Sequence, residues 1–134
     1  MLGIKGHEDA LAAFNEMKLR KKVAFMTFKI DGKVIVVDKQ VAKEDCKDSE
    51  NYLDEFIEAV KETGEPRFCV VDHNHKLLFV GWVPETAKAQ LKMKYASVKE
   101  NFAQELVGLH AKLQATDDGE LSKEAIQLKT KSKV

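Results

Sequence analysis

One short stretch of the chain concentrates side chains able to do acid–base or metal chemistry: DHNHK, residues 72–76. Asp72, His73 and His75 could ligate a metal through carboxylate oxygen and imidazole nitrogen, or work as an acid/base pair. Against this, Asp and Asn are ordinary turn residues, and the stretch lies between two apolar runs with no further ligands at metal spacing. A turn is the favoured reading, and a metal-dependent enzyme is kept as the remote alternative. His7 and His110 stand alone and read as surface or capping residues. Cys46 and Cys69 fit no metal spacing and read as reduced thiols. The sequence carries neither a phosphate-cradling glycine loop nor a G-x-S-x-G elbow. TDDG at 116–119 lacks the alternating acids and closing Glu of a calcium loop. The expectation is a protein that is not an enzyme and needs no cofactor.

A second kind of chemistry, surface recognition, is carried by AQLKMKYASVKENF, residues 89–102. Read as a helix, it places Leu91, Tyr95, Val98 and Phe102 on one buried stripe. Met93 lies roughly 160° from Leu91 and about 180° from Phe102 around the axis. Ala89, Ser97 and Glu100 share its side within about 40°, with Ala96 a little further round. Small residues around a flexible thioether permit close approach of another surface, and methionine suits irregular clefts. Lys92 and Lys94, roughly 100° to either side, are placed to meet acids at a cleft rim. A merely tolerated exposed apolar residue remains an equal alternative on these grounds.

The remaining elements must position these groups. HEDALAAFNEMK sets Leu11, Phe14 and Met17 at helical spacing, with acids in its first turn. VAFMTFKI and KVIVVD, joined across Asp31-Gly32, form a β-hairpin signal. Charged residues 38–50 read as a loop. SENYLDEFIEAVKETG gives a helix with Tyr52 or Leu53, Phe56, Ile57 and Val60 on one face and Gly64 as its stop. RFCVVD and KLLFVGWV read as strands covered on both sides. The long helix follows over about 87–106, bounded by Pro84 and Gly108. LHAKLQAT supplies a short strand, and a last helix begins near Ser122 as cap. Helices alternating with hairpins imply an α/β (α+β) domain over 1–134: a mixed sheet of five to six strands between helices on both faces.

At 134 residues, with 44% hydrophobic and 33% charged, the chain suits one ordered domain. Lys+Arg and Asp+Glu each total 22, so no global field draws nucleic acid or membrane. LLFVGWV, residues 77–83, is too short to span a bilayer. No secretory leader is read in the N-terminal segment. The expected location is cytoplasmic, with nuclear entry open. KLRKK at 18–22 could bind nucleic acid, anionic lipid or an import receptor. A solvated helix end is preferred because no aromatics interleave it.

LKMKYASVKENFAQELVG resembles the long-helix signature of the ADF/cofilin family of actin-binding proteins, whose core runs approximately K-M-x-Y-A-S-x-K. GWVPETA resembles the family's W-x-P-E strand end. LHAKLQATDDGELS and FNEMKLRKK resemble its later strand region and first helix, so the likeness spans nearly the whole chain. The resemblance implies an actin-depolymerising-factor homology fold that acts as a monomer. It also implies an outward helix face entering a cleft on actin, with monomer contacts from Met93, Lys92, Ser97, Lys88 and the Leu2–Gly3–Ile4 segment. Preference for ADP-actin and promotion of filament turnover are implied as well.

Three departures qualify the likeness. Gln90 stands where many relatives have a basic residue, and Lys88 lies on another face. The first serine is Ser49, so the N-terminal phosphorylation switch of many relatives is absent. HNHK nearly closes the charged projection that in relatives meets a second actin subunit. Lys129, Lys131 and Lys133 then remain for weak filament binding and severing, and Lys18, Arg20, Lys21 and Lys22 for phosphoinositides. A coactosin- or glia-maturation-factor-like protein, binding filaments or the branching complex without depolymerising, is the alternative within the fold.

Overall fold

The computed structural model describes residues 3–131. Its elements are β1 (Lys5–Gly6), α1 (Glu8–Arg20), β2 (Val23–Asp31), β3 (Val34–Ala42), α2 (Leu53–Lys61), β4 (Arg67–His73), β5 (Lys76–Trp82), α3 (Ala89–Glu105), β6 (Ala111–Ala115) and α4 (Lys123–Lys131). The strands form one mixed sheet in the order β1-β3-β2-β4-β5-β6. It is antiparallel through its middle and parallel at both edges, where β1 joins β3 and β6 joins β5.

Alternation along the central strands divides the core in two. Phe28, Phe68, Val70 and Phe79 face one side, where α1 brings Phe14 and Met17 and α3 brings Tyr95, Val98 and Phe102. Phe25, Cys69, Val71 and Val80 face the other, against Leu53, Phe56 and Val60 of α2 and Ile126 of α4. β4 and β5 are buried almost throughout, as their continuous apolar runs imply. Trp82 closes β5 on the α2/α4 side at 4% exposure, with the Lys61 ammonium 5.7 Å above its ring.

Local chemistry sets the element ends. His7 caps α1, its Nδ1 accepting the Asp9 N–H at 3.0 Å. Ser122 Oγ accepts the Ala125 N–H at 3.1 Å and opens α4. The β2–β3 hairpin closes through Gly32-Lys33, with Gly32 at φ +66°, a conformation that favours glycine.

Two segments differ from the sequence reading. The loop expected from residue 38 begins later, because β3 continues to Ala42. Thr27 pairs with Lys39 and Phe28 with Val37, leaving Asp38 as an extra, bulged residue. The bulge resets the two-residue alternation and hides the strand among charged residues. Asp38 is thereby turned to the nearly buried Arg67, whose Nε meets Oδ2 at 3.0 Å. β1, only two residues long, carries no periodic signal.

Phe68 sits at the centre of the α1/α3 core, with ring centroids 5.1 Å from Tyr95, 5.5 Å from Phe102 and 5.8 Å from Phe79. Phe68→Ala is expected to cost about 3–5 kcal/mol in denaturant-monitored unfolding. A loss below about 1 kcal/mol would show that this cluster does not anchor the helix layer.

Candidate functional site

The DHNHK stretch is the tip of the β4–β5 hairpin. His73 pairs with Lys76, and both intervening residues have positive φ, Asn74 at +54° and His75 at +67°, as a type I′ turn requires. The Asp72 carboxylate is buried and meets Lys43 Nζ at 3.1 Å. The Asp72 carbonyl accepts the Tyr52 hydroxyl. Burial pushes the His73 imidazole below its ordinary pKa, opposed by the Asp72 charge. Among the described residues, no three His, Cys, Asp or Glu side chains are grouped to hold a metal ion.

α3 shows the two faces its spacing implied. Tyr95, Val98 and Phe102 are buried, with Leu91 packed beside them at partial burial. The Tyr95 hydroxyl accepts the Ile30 N–H at 2.9 Å, fixing the helix rotation against β2. Met93 projects oppositely and is 73% exposed. Ala89, Ala96, Ser97 and Glu100 are exposed with it. Ser97 Oγ is turned back to the Lys94 carbonyl at 2.9 Å, which keeps the surface around Met93 low.

The cations around this face are held differently. Lys92 is half-buried, and its Nζ donates to the Glu85 carbonyl at 3.2 Å, across the helix entry. Lys88 is exposed at the N-cap position. Glu100 is paired with Lys112 at 3.1 Å and Lys99 at 3.5 Å, which lowers its carboxyl pKa. The low end of the face therefore carries ammonium groups, and its one acid is already partnered.

The N-terminal segment lies beside the C-terminal half of α3. Gly3 is exposed, with φ +70°. Ile4 is only 5% exposed and belongs to the core, so it anchors the segment rather than presenting a side chain. Leu2 lies outside the described residues, as does Lys133. The Glu105 carboxylate, which no sequence pattern singles out, accepts the Gly6 N–H at 3.2 Å and ties the segment to the helix. These partners are 99 positions apart, so no local pattern signals them.

The other basic residues are dispersed. Lys18 Nζ donates to the Val107 carbonyl at 2.6 Å, and Arg20, itself exposed, pairs with Glu16 at 2.8 Å; Lys21 and Lys22 are exposed too. Lys129 and Lys131 are exposed on α4, and Lys76 Nζ donates to the Thr130 carbonyl between them.

A six-stranded mixed sheet between two pairs of helices defines the class as the actin-depolymerising-factor homology fold. Residues 3–131 match the family described as cofilin/tropomyosin-type actin-binding protein. Actin-depolymerizing factor 4 of Oryza sativa subsp. japonica is 33% identical over 140 aligned positions, covering 96% of each chain. The cofilin of Gibberella zeae is 35% identical over 144, covering 94% of this chain and 92% of that one. The crystal structure of Streptomyces griseoflavus cofilin superposes with a TM-score of 0.81 at 31% identity, covering 95% of this chain and 98% of that one. The chain belongs to the ADF/cofilin family.

Because Met93 is 73% exposed and contributes little burial to the fold, Met93→Ala should leave stability within about 0.5 kcal/mol of the parent. Thermal unfolding of the variant tests this. A fall of several degrees would mean that the side chain is packed rather than presented.

Proposed function

We propose that this protein binds actin monomers through the outward face of α3 and promotes filament turnover. The observation that supports this reading is the 73% exposure of Met93 on a low, small-residue surface in a chain of this family. Seating the thioether in a cleft of actin removes apolar surface from water, and Lys92 and Lys88 at its rim meet carboxylates. Lys92 releases the Glu85 carbonyl to do so, a single exposed contact to exchange. Gly3 completes the surface beside the helix.

No chemical step is needed. A protein that binds one nucleotide state of actin more tightly shifts the polymerisation equilibrium by that differential affinity. ADP-actin is the state we assign. Filament binding and severing are weak, because the β4–β5 hairpin ends in a two-residue turn and contributes no projection. Lys129 and Lys131 are the described cations left to touch a second subunit. Phosphoinositide binding through KLRKK draws less support, since Lys18 and Arg20 are engaged within the molecule.

The double variant Lys92→Ala/Met93→Ala is expected to lose tenfold or more in affinity for monomeric ADP-actin, as for removal of an interface anchor. Fluorescence titration of labelled monomers measures it, and unchanged affinity would remove the helix face from the function. Cosedimentation of the parent protein with filaments should show partial binding only. Stoichiometric decoration of filaments would contradict the trimmed second site, and filament binding without monomer binding would favour the coactosin-like reading.

A further inference from the structure

The C-terminal end of α3 is tied to two other parts of the chain. Leu106 closes the helix, donating its N–H to the Ala103 carbonyl at 3.1 Å and leaving helical geometry at φ −92°, ψ 83°. The next carbonyl, that of Val107, accepts the Lys18 ammonium from the last turn of α1 at 2.6 Å. A cation at this place also meets the negative end of the α3 dipole. Within the closing turn itself, the two Glu105 carboxylate oxygens accept the Gly6 N–H at 3.2 and 3.3 Å. The neighbours of Gly6 donate to β3 instead, Lys5 to the Lys33 carbonyl and His7 to the Ile35 carbonyl.

Each tie passes close over a glycine. A Cβ on Gly108 would stand 2.8 Å from Lys18 Cδ, and one on Gly6 would stand 3.1 Å from Glu105 Oε1. The Lys18 ammonium also lies 5.3 Å from the centroid of the Phe14 ring, so it is held from a second side. Beyond the ties, Gly3 and Ile4 share a hollow with Asn101, Gln104 and Glu105. Gln104 lies about 20° from Met93 around the helix axis, so the N-terminal segment borders the strip that carries the methionine.

We infer, on the basis of the α3 surface proposed above, that Lys18 is a positioning residue for actin binding. By holding the end of α3 it keeps Glu105 on the Gly6 N–H, and Glu105 in turn holds the segment that carries Gly3. Helix ends are where local opening begins, and without the ammonium the closing turn of α3 opens more often. Each opening frees the Gly6 N–H and lets Gly3 leave its place beside Asn101 and Gln104. A partner then has to order the segment as it binds, which lowers affinity. Lys18 does this from α1, without contacting the partner.

The test compares Lys18→Met, which keeps a long stem over Gly108 but lacks the ammonium, with Lys18→Arg, which restores a charged donor. Amide exchange at Gly6 is followed by NMR, and affinity for monomeric ADP-actin by fluorescence titration, both on the full chain. Lys18→Met should speed Gly6 exchange and weaken actin binding together, each by about two- to fivefold, the scale of a cation at a helix C-terminus. Exchange at Val70 and Phe79 in the core should stay at the parent rate, and Lys18→Arg should bring both quantities back to parent values. Four results would overturn the proposal: unchanged Gly6 exchange, exchange raised equally in the core, parent affinity despite an opened Gly6 amide, or no recovery with arginine. The Lys92→Ala/Met93→Ala variant, titrated alongside, separates the two readings. If it loses affinity while Lys18→Met does not, the α3 surface stands and the positioning role falls; if it binds as the parent does, the α3 surface falls and the positioning role with it.

Discussion

The structure depends on how α3 is seated across the sheet. Phe102 touches the rings of Phe28, Phe68 and Phe79, and Tyr95 touches Phe68 while its hydroxyl takes the Ile30 N–H. Apolar burial supplies the attraction, and the directional Tyr95 hydrogen bond fixes the rotation of the helix about its axis. Once that rotation is set, the position of Met93 follows from helical geometry alone. A recognition surface is thus defined by contacts on the opposite side of the same helix, none of which a partner would touch.

The N-terminal segment is registered to the same helix by a different means. Ile4 is buried in the α1/α3 core and the Glu105 carboxylate holds the Gly6 N–H, so the segment is fixed by one apolar and one charged contact. β1 then joins β3, coupling the segment to the sheet edge. Surface elements from opposite ends of the sequence are therefore held in one rigid frame, which reduces the ordering cost of any interaction that uses both.

Much of this was legible in the residues. The apolar spacing of Leu91, Tyr95, Val98 and Phe102 and the continuous strands at 67–73 and 76–82 reflect repeating physical demands, and repetition is what a sequence displays well. The Asp-Gly pair, Ser122 and His7 carry local chemistry that needs no tertiary context. The end of β3 was concealed because the Asp38 bulge interrupts alternation, and because an edge strand tolerates Lys39 and Gln40 where a central one would not. The family resemblance implies Ile4 as a partner contact, yet it is buried in the core. Its burial depends on α3, far along the chain, and so has no local signature. The KLRKK run likewise reads as one basic patch, yet folding assigns Lys18 to the Val107 carbonyl and Arg20 to Glu16.

The chain has a single tryptophan, and it lies under α2 and α4 on the side of the sheet away from α3. Sealed at 4% exposure beneath the Lys61 ammonium, its indole reports on the integrity of that layer. Intrinsic emission will therefore follow global melting faithfully while remaining blind to what happens around Met93. An optical sensor of association has to be introduced on the other layer, and the native fluorophore then serves as an internal standard of foldedness in the same cuvette.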